Sequence, residues 1–132
     1  MQKSFVKEFK LYCKKKNLDV NSHQIKLIKT LEEYYKLNYK SFISKILSKK
    51  NYKKGFYLYG DVGVGKTMIL DFFFNLVEGK KLKLHFNEFM LSFHDFVHQS
   101  KDKNDENKIS KFVKKLKSKA KLIYFDEFQV TN

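Results

Sequence analysis

Apolar residues recur at helical spacing through the first third of the chain. Phe5, Phe9, Tyr12 and Cys13 share one face of residues 3–16, with lysines on the other, which predicts an amphipathic helix. The stretch Asn17 to Asn21 breaks that pattern. Asn21 or Ser22 can cap a second helix, in which Ile25, Ile28, Leu31 and Tyr35 form the apolar stripe. A further helical segment carries Phe42, Ile43, Ile46 and Leu47 and runs to about Lys50.

The pattern changes at Gly55. Phe56-Tyr57-Leu58-Tyr59 is a short aromatic and apolar run closed by Gly60, the form of a buried strand. A helix follows from Lys66 to about Val77, with Phe72-Phe73-Phe74 as its core side and Gly79 near its end. Leu82 to Phe86 is a second strand candidate. Asn87 can cap a helix bearing Phe89, Phe93, Phe96 and Val97, and Ser100 to Asn107 reads as a polar loop. Ile109, Phe112, Val113 and Leu116 mark the next helix, and Leu122 to Phe125 a third strand, ending in Asp126-Glu127. Strands alternating with helices predict an α/β fold with a parallel sheet. The organisation expected is a helical segment over residues 1–52 and the first part of a nucleotide-binding domain over residues 53–132.

Between the first strand and its helix lies Gly60-Asp61-Val62-Gly63-Val64-Gly65-Lys66-Thr67, which fits G-x-x-x-x-G-K-[ST] in its required strand–loop–helix setting. The glycines permit positive φ and close approach of backbone to phosphate. Successive N–H groups and the helix N-terminus then favour an anion. Lys66 is expected to neutralise the β- and γ-phosphates and the Thr67 hydroxyl to ligate Mg²⁺. The alternative is a glycine turn that merely joins strand to helix, but three of the chain's five glycines fall in this octet. Asp126, at a strand's C-terminal end, is placed to hold Mg²⁺. Glu127 beside it can polarise an attacking water, which suits ATP hydrolysis better than small-molecule phosphorylation. A guanine-reading N-K-x-D is missing, since Asn107-Lys108-Ile109-Ser110 lacks the aspartate.

Composition changes this picture little. Net charge is +14, yet all 28 basic residues are Lys, spread over the whole length. Lys, Asn, Ile, Phe and Tyr share A/T-rich codons, and Arg, the fork for phosphate and guanine, is absent. Nucleic acid is therefore not expected as the main partner. The single cysteine, Cys13, excludes an internal disulfide and reads as a packing residue. His85, His94 and His98 lack the Glu of H-E-x-x-H and read as surface or packing residues. Met1 to Glu8 has no signal-type apolar stretch, and its Glu8 and lack of Arg suit a mitochondrial presequence poorly.

Residues Gly55 to Met68, followed by Asp71-Phe72-Phe73, resemble the phosphate loop of ATPases related to the cell-division protein ZapE and its mitochondrial counterparts. His85-Phe86-Asn87-Glu88-Phe89-Met90 is similar to that family's His-Phe-His-x-Phe-Met, and Asp126 to Asn132 to its Asp-Glu-Phe-Gln-Val-Thr-Asp. The stretch after Leu18-Asp19, with Gln24, Leu27 and Leu31, is a looser match. The resemblance implies an AAA+-type P-loop ATPase with a three-layer parallel sheet, ATP and Mg²⁺ as ligands, and homo-oligomeric assembly. It further implies a cytoplasmic protein in bacteria, peripheral at the inner membrane, with clients in division or membrane-protein quality control. It assigns Gly60 to Met68 to nucleotide, Lys66 and Glu127 to catalysis, and Thr67 and Asp126 to the metal. Val64 stands where the family has Arg, Asn87 where it has His and Asn132 where it has Asp. A strand between the phosphate-loop strand and the Asp-Glu strand would follow Asn132, so the sheet is expected to be incomplete and the chain alone weakly active. A helicase-loader relative and a non-catalytic nucleotide-binding remnant are the competing expectations.

Overall fold

The computed structural model describes residues 4–39, 55–59 and 65–128. It divides into two compact units, Met1–Val77 and Glu78–Asn132.

In the first unit, α1 (Phe5–Lys15) buries Phe5, Phe9 and Cys13, the stripe predicted from spacing. It ends in Lys16, and Asn17 then adopts a left-handed φ of 52°, a region Asn tolerates better than most residues. Burial pushes the Cys13 thiol above its usual pKa, as desolvation of a thiolate requires. Helix α2 (Ser22–Asn38) opens with a full capping box. The Gln24 N–H donates to Asn21 Oδ1 at 2.8 Å, and the Asn21 N–H donates to Gln24 Oε1 at 3.1 Å. Its buried residues are Gln24, Ile28 and Leu31, so the packed face is turned slightly from the predicted Ile25–Tyr35 stripe.

Helix α3 (Lys66–Leu76) buries Ile69, Phe72 and Phe73. Phe9 meets Phe72 edge-on at 5.1 Å, and Phe5 lies 5.2 Å from Tyr35 and 6.1 Å from Phe73. Fully burying one such ring contributes roughly 1.5–3 kcal/mol, and each well-placed aromatic pair about 0.5–1.5 kcal/mol more. Helix α1 is also tied to α2 through the Phe5 N–H, which donates to Glu32 Oε2 at 3.2 Å. The same carboxylate pairs with Lys36 at 2.7 Å. The two N-terminal helices thus brace α3. The predicted helix around Phe42 to Lys50 lies outside the described residues.

In the second unit, β1 (Lys81–His85) pairs in parallel with β2 (Leu122–Asp126), from Lys81 opposite Leu122 to His85 opposite Asp126. The crossover that parallel pairing requires consists of α4 (Phe86–Gln99) and α5 (Asp105–Lys119). Phe112 of α5 is buried and meets Phe89, Phe93 and Phe96 of α4 at 5.1–5.6 Å. Leu122 and Tyr124 fill one face of β2, and Phe125 on the other face lies 4.7 Å from Phe89.

Three expectations are corrected. Helix α4 begins at Phe86 with His85 at its N-cap, so Asn87 sits inside the first turn. Helix α5 begins at Asp105, where the Asn104 side chain accepts from the Glu106 N–H at 2.9 Å, shortening the predicted loop. Residues 56–59 do not form the buried strand: among the described residues the sheet is the pair β1–β2, and Tyr57 and Tyr59 are 65% and 80% exposed. Their burial alternates as in a strand, but a strand exists only through its ladder, and among the described residues no strand pairs with this one. The described part of the anticipated three-layer sheet is one parallel pair.

Candidate functional site

Two sets of predicted site residues lie in different units. In the first, Gly65 is the residue from which α3 starts. Its φ of 77° and ψ of 22° put it in the left-handed region, which glycine enters without a steric penalty. The Ile69 N–H donates to Gly65 O at 3.0 Å and opens the helical ladder. Gly65, at the N-cap, makes no side-chain cap bond, and no acidic residue occupies the first turn. Gly65 itself offers the leading N–H groups of α3 no side-chain acceptor, and these groups stand at the positive end of the helix dipole.

Lys66, half-buried, Thr67, exposed, and Met68, half-buried, form that first turn. A Cβ on Gly65 would stand 3.5 Å from both Gln24 Nε2 and Met68 Cε. Donor N–H groups, an ammonium and a hydroxyl are the set a polyphosphate with its cation requires, so these residues fit the nucleotide. Gly60, Asp61, Val62, Gly63 and Val64 lie outside the described residues.

In the second unit, β2 ends at Asp126, whose carboxylate is half-buried. Its Oδ1 accepts from the Glu127 N–H at 3.0 Å. Glu127 itself is exposed and has a left-handed φ of 53°. A non-glycine residue there carries backbone strain of about 1–2 kcal/mol. Phe128, packed 4.3 Å from Phe86, fixes the chain beyond that turn. The strand end thus aims one carboxylate back over its own backbone and leaves the next in solvent. His85 stands opposite Asp126 in the register.

His94 and His98 are exposed on α4. No cluster of three or more His, Cys, Asp or Glu suited to a metal occurs among the described residues. Magnesium in nucleotide sites takes only one or two protein oxygens beside phosphate and water, so it needs no such cluster. Sequence reasoning missed the placement of Gln24 against Gly65, because the two are far apart along the chain and belong to different helices. The one available signal was the pairing of Asn21 with a residue three positions on.

A model of AFG1-like ATPases matches residues 9–132. Lactation elevated protein 1 homolog B of Danio rerio is 38% identical over 95 residues, covering 64% of this chain and 19% of that protein. Cell division protein ZapE of Escherichia coli K12 is 34% identical over 80 residues, covering 60% of this chain and 21% of its own. An uncharacterized protein of Schizosaccharomyces pombe is 36% identical over 84 residues, covering 60% and 18%. The chain therefore spans about a fifth of the length of the curated relatives it matches. No solved structure matches it. That family carries a P-loop nucleoside-triphosphatase fold, of which the uncapped start of α3 and the parallel pair are consistent parts. The chain belongs to the AFG1-like ATPase family.

Proposed function

We propose that this chain supplies the nucleotide-binding part of an ATPase that binds Mg-ATP and hydrolyses it. One observation carries the reading: α3 begins at a left-handed glycine with no side-chain cap, and Lys66 and Thr67 occupy its first turn. In this reading the loop's N–H groups and Lys66 bind the β- and γ-phosphates, and Gly60 to Met68 line the nucleotide. Thr67 and Asp126 are the magnesium ligands. Bound there, the ion neutralises charge building on the phosphates. Glu127 orients the attacking water and takes its proton.

These 132 residues contain no arginine, so they do not themselves supply an arginine finger, which adds ~10³–10⁵ in rate in related systems. The name of the bacterial relative supports a link to cell division, and the resemblance supports homo-oligomers and membrane-protein clients. No helix of the described residues is long and apolar enough to cross a membrane. A cytoplasmic site of action, peripheral to the inner membrane, is part of the proposal.

Titration of the full-length protein with a fluorescent ATP analogue tests the binding. Lys66→Ala is expected to weaken it at least about tenfold, roughly 1.4 kcal/mol. Glu127→Gln is expected to keep binding and lose phosphate release. Equal affinity in wild type and Lys66→Ala would refute nucleotide capture at α3. Unchanged phosphate release in Glu127→Gln would remove that residue from the chemistry.

A further inference from the structure

The residue nearest the phosphate-loop glycine from outside the loop's own helix is a buried carboxamide. Gln24 is 8% exposed and is the buried polar residue among the described ones. Its two polar atoms have different tasks. Oε1 accepts the Asn21 N–H at 3.1 Å, which completes the capping box of α2 and fixes the plane of the amide. Nε2 therefore points the other way, towards Gly65, 3.5 Å from the place a Cβ would take. Among the described residues Nε2 donates no hydrogen bond. Among the described residues the fully enclosed polar side-chain atom without a partner is the Tyr39 hydroxyl, so Gln24 Nε2, on a largely buried side chain, still faces a space that water or a ligand can enter.

The helix explains only half of this side chain. A capping box needs an acceptor at its third position, and Glu serves it as well as Gln. Glu would also suit the positive end of the helix dipole. What Gln adds over Glu is an N–H₂ group and the absence of negative charge, both turned towards a loop end built for anions. Met68 Cε lies at the same 3.5 Å from that Cβ position at Gly65.

We propose that Gln24 is a nucleotide-site residue, its N–H₂ donating to the nucleoside triphosphate held at the N-terminus of α3. The inference rests on the ATP-binding reading above. The acceptor is either a phosphate oxygen or a base or sugar atom of the same ligand. Inorganic tripolyphosphate, which has only the former, separates the two.

The test is Gln24→Glu in the full-length protein, which keeps the capping acceptor and replaces the donor by a charge. Its counterpart is Asn21→Ala, which removes the cap and leaves the amide in place. Thermal unfolding without nucleotide and ATP affinity by calorimetry are both read. Gln24→Glu is expected to melt with the wild type and bind ATP at least about tenfold more weakly. Asn21→Ala is expected to melt earlier and bind ATP within about twofold of wild type. If Gln24→Glu fails to fold, the uncharged Gln24→Met is compared with Asn21→Ala in the same way.

Wild-type affinity in the Gln24 variant, with the wild type itself binding ATP, overturns this inference alone. Failure of the wild type to bind ATP overturns the parent reading. Weakening of tripolyphosphate and ATP together places the donor on phosphate, and weakening of ATP alone places it on the base or sugar.

Discussion

The two units hide their aromatic rings to very different depths. In Met1–Val77 three helices enclose Phe5, Phe9, Phe72 and Phe73, all under a tenth exposed, with Phe9 fully buried. In Glu78–Asn132 phenylalanines are as numerous, but α4 has no fully buried residue, and Leu91 is 65% exposed. Among its described residues, Phe112, Ala120, Leu122 and Tyr124 are the buried ones. Lysines lie over two rings of this unit: Lys83 over Tyr124 at 5.0 Å and Lys115 over Phe96 at 5.7 Å. Aliphatic stems shield rings while their ammonium groups stay in water. The helix bearing Lys66 is therefore held by a closed interior, and the strand bearing Asp126 by an open-sided one.

The largest test of that contrast is Phe9→Ala. With the ring at 0% exposure its removal should cost about 3–5 kcal/mol. Hydrogen exchange of α3 amides should accelerate much more than that of β2. Leu91→Ala should change stability by less than about 0.5 kcal/mol. Similar costs for both substitutions in urea unfolding would erase the difference between the units.

A smaller effect compares the caps. Asn21→Ala should cost ~1 kcal/mol, since a reciprocal pair of hydrogen bonds is lost. Asn104→Ala should cost less, because its one capping bond is solvent-exposed. Thermal midpoints of the two variants rank them, and the reverse order would show that cap geometry does not set the balance.

The smallest concerns pH. The Lys111 ammonium, 3.0 Å from Asp102 Oδ2, and the Asn104 N–H hold the Asp102 carboxyl below its usual pKa. A depressed carboxylate contributes stability above its unfolded pKa and loses it as pH falls through the folded value. Lys111 is exposed and Asp102 half-exposed at the surface, so the contribution is slight. In Lys111→Met the Asp102 carboxyl resonance should titrate closer to the ordinary value of about 3.9. An unmoved midpoint would show that the pair does not persist in solution.

What could be read from the sequence followed the range of the forces involved. The Phe5, Phe9, Cys13 spacing and the Asn21 cap are local, and both appear where the pattern puts them. So does β2, a short apolar run stopped by two carboxylates. Phe56 to Tyr59 has the composition of a strand, but pairing depends on a neighbour remote in sequence. Asn87 is a residue type suited to capping, yet the helix starts at Phe86, where the ladder of β1 stops. The loop motif named Lys66 and Thr67 from spacing alone. Gln24 beside Gly65 is a tertiary contact, and no periodicity along either helix announces it.

Glu127 shows how fold and proposed chemistry pull one position in opposite directions. Its left-handed backbone is a shape that glycine adopts freely and asparagine more readily than most residues. Judged by folding alone, glutamate is a poor occupant, and either replacement would relax the turn after β2. Under the role proposed for its carboxylate, the same replacements would leave a better-folded protein with nothing to receive the proton of water. Position 127 is thus where a gain in robustness and a loss of turnover would arrive in a single substitution.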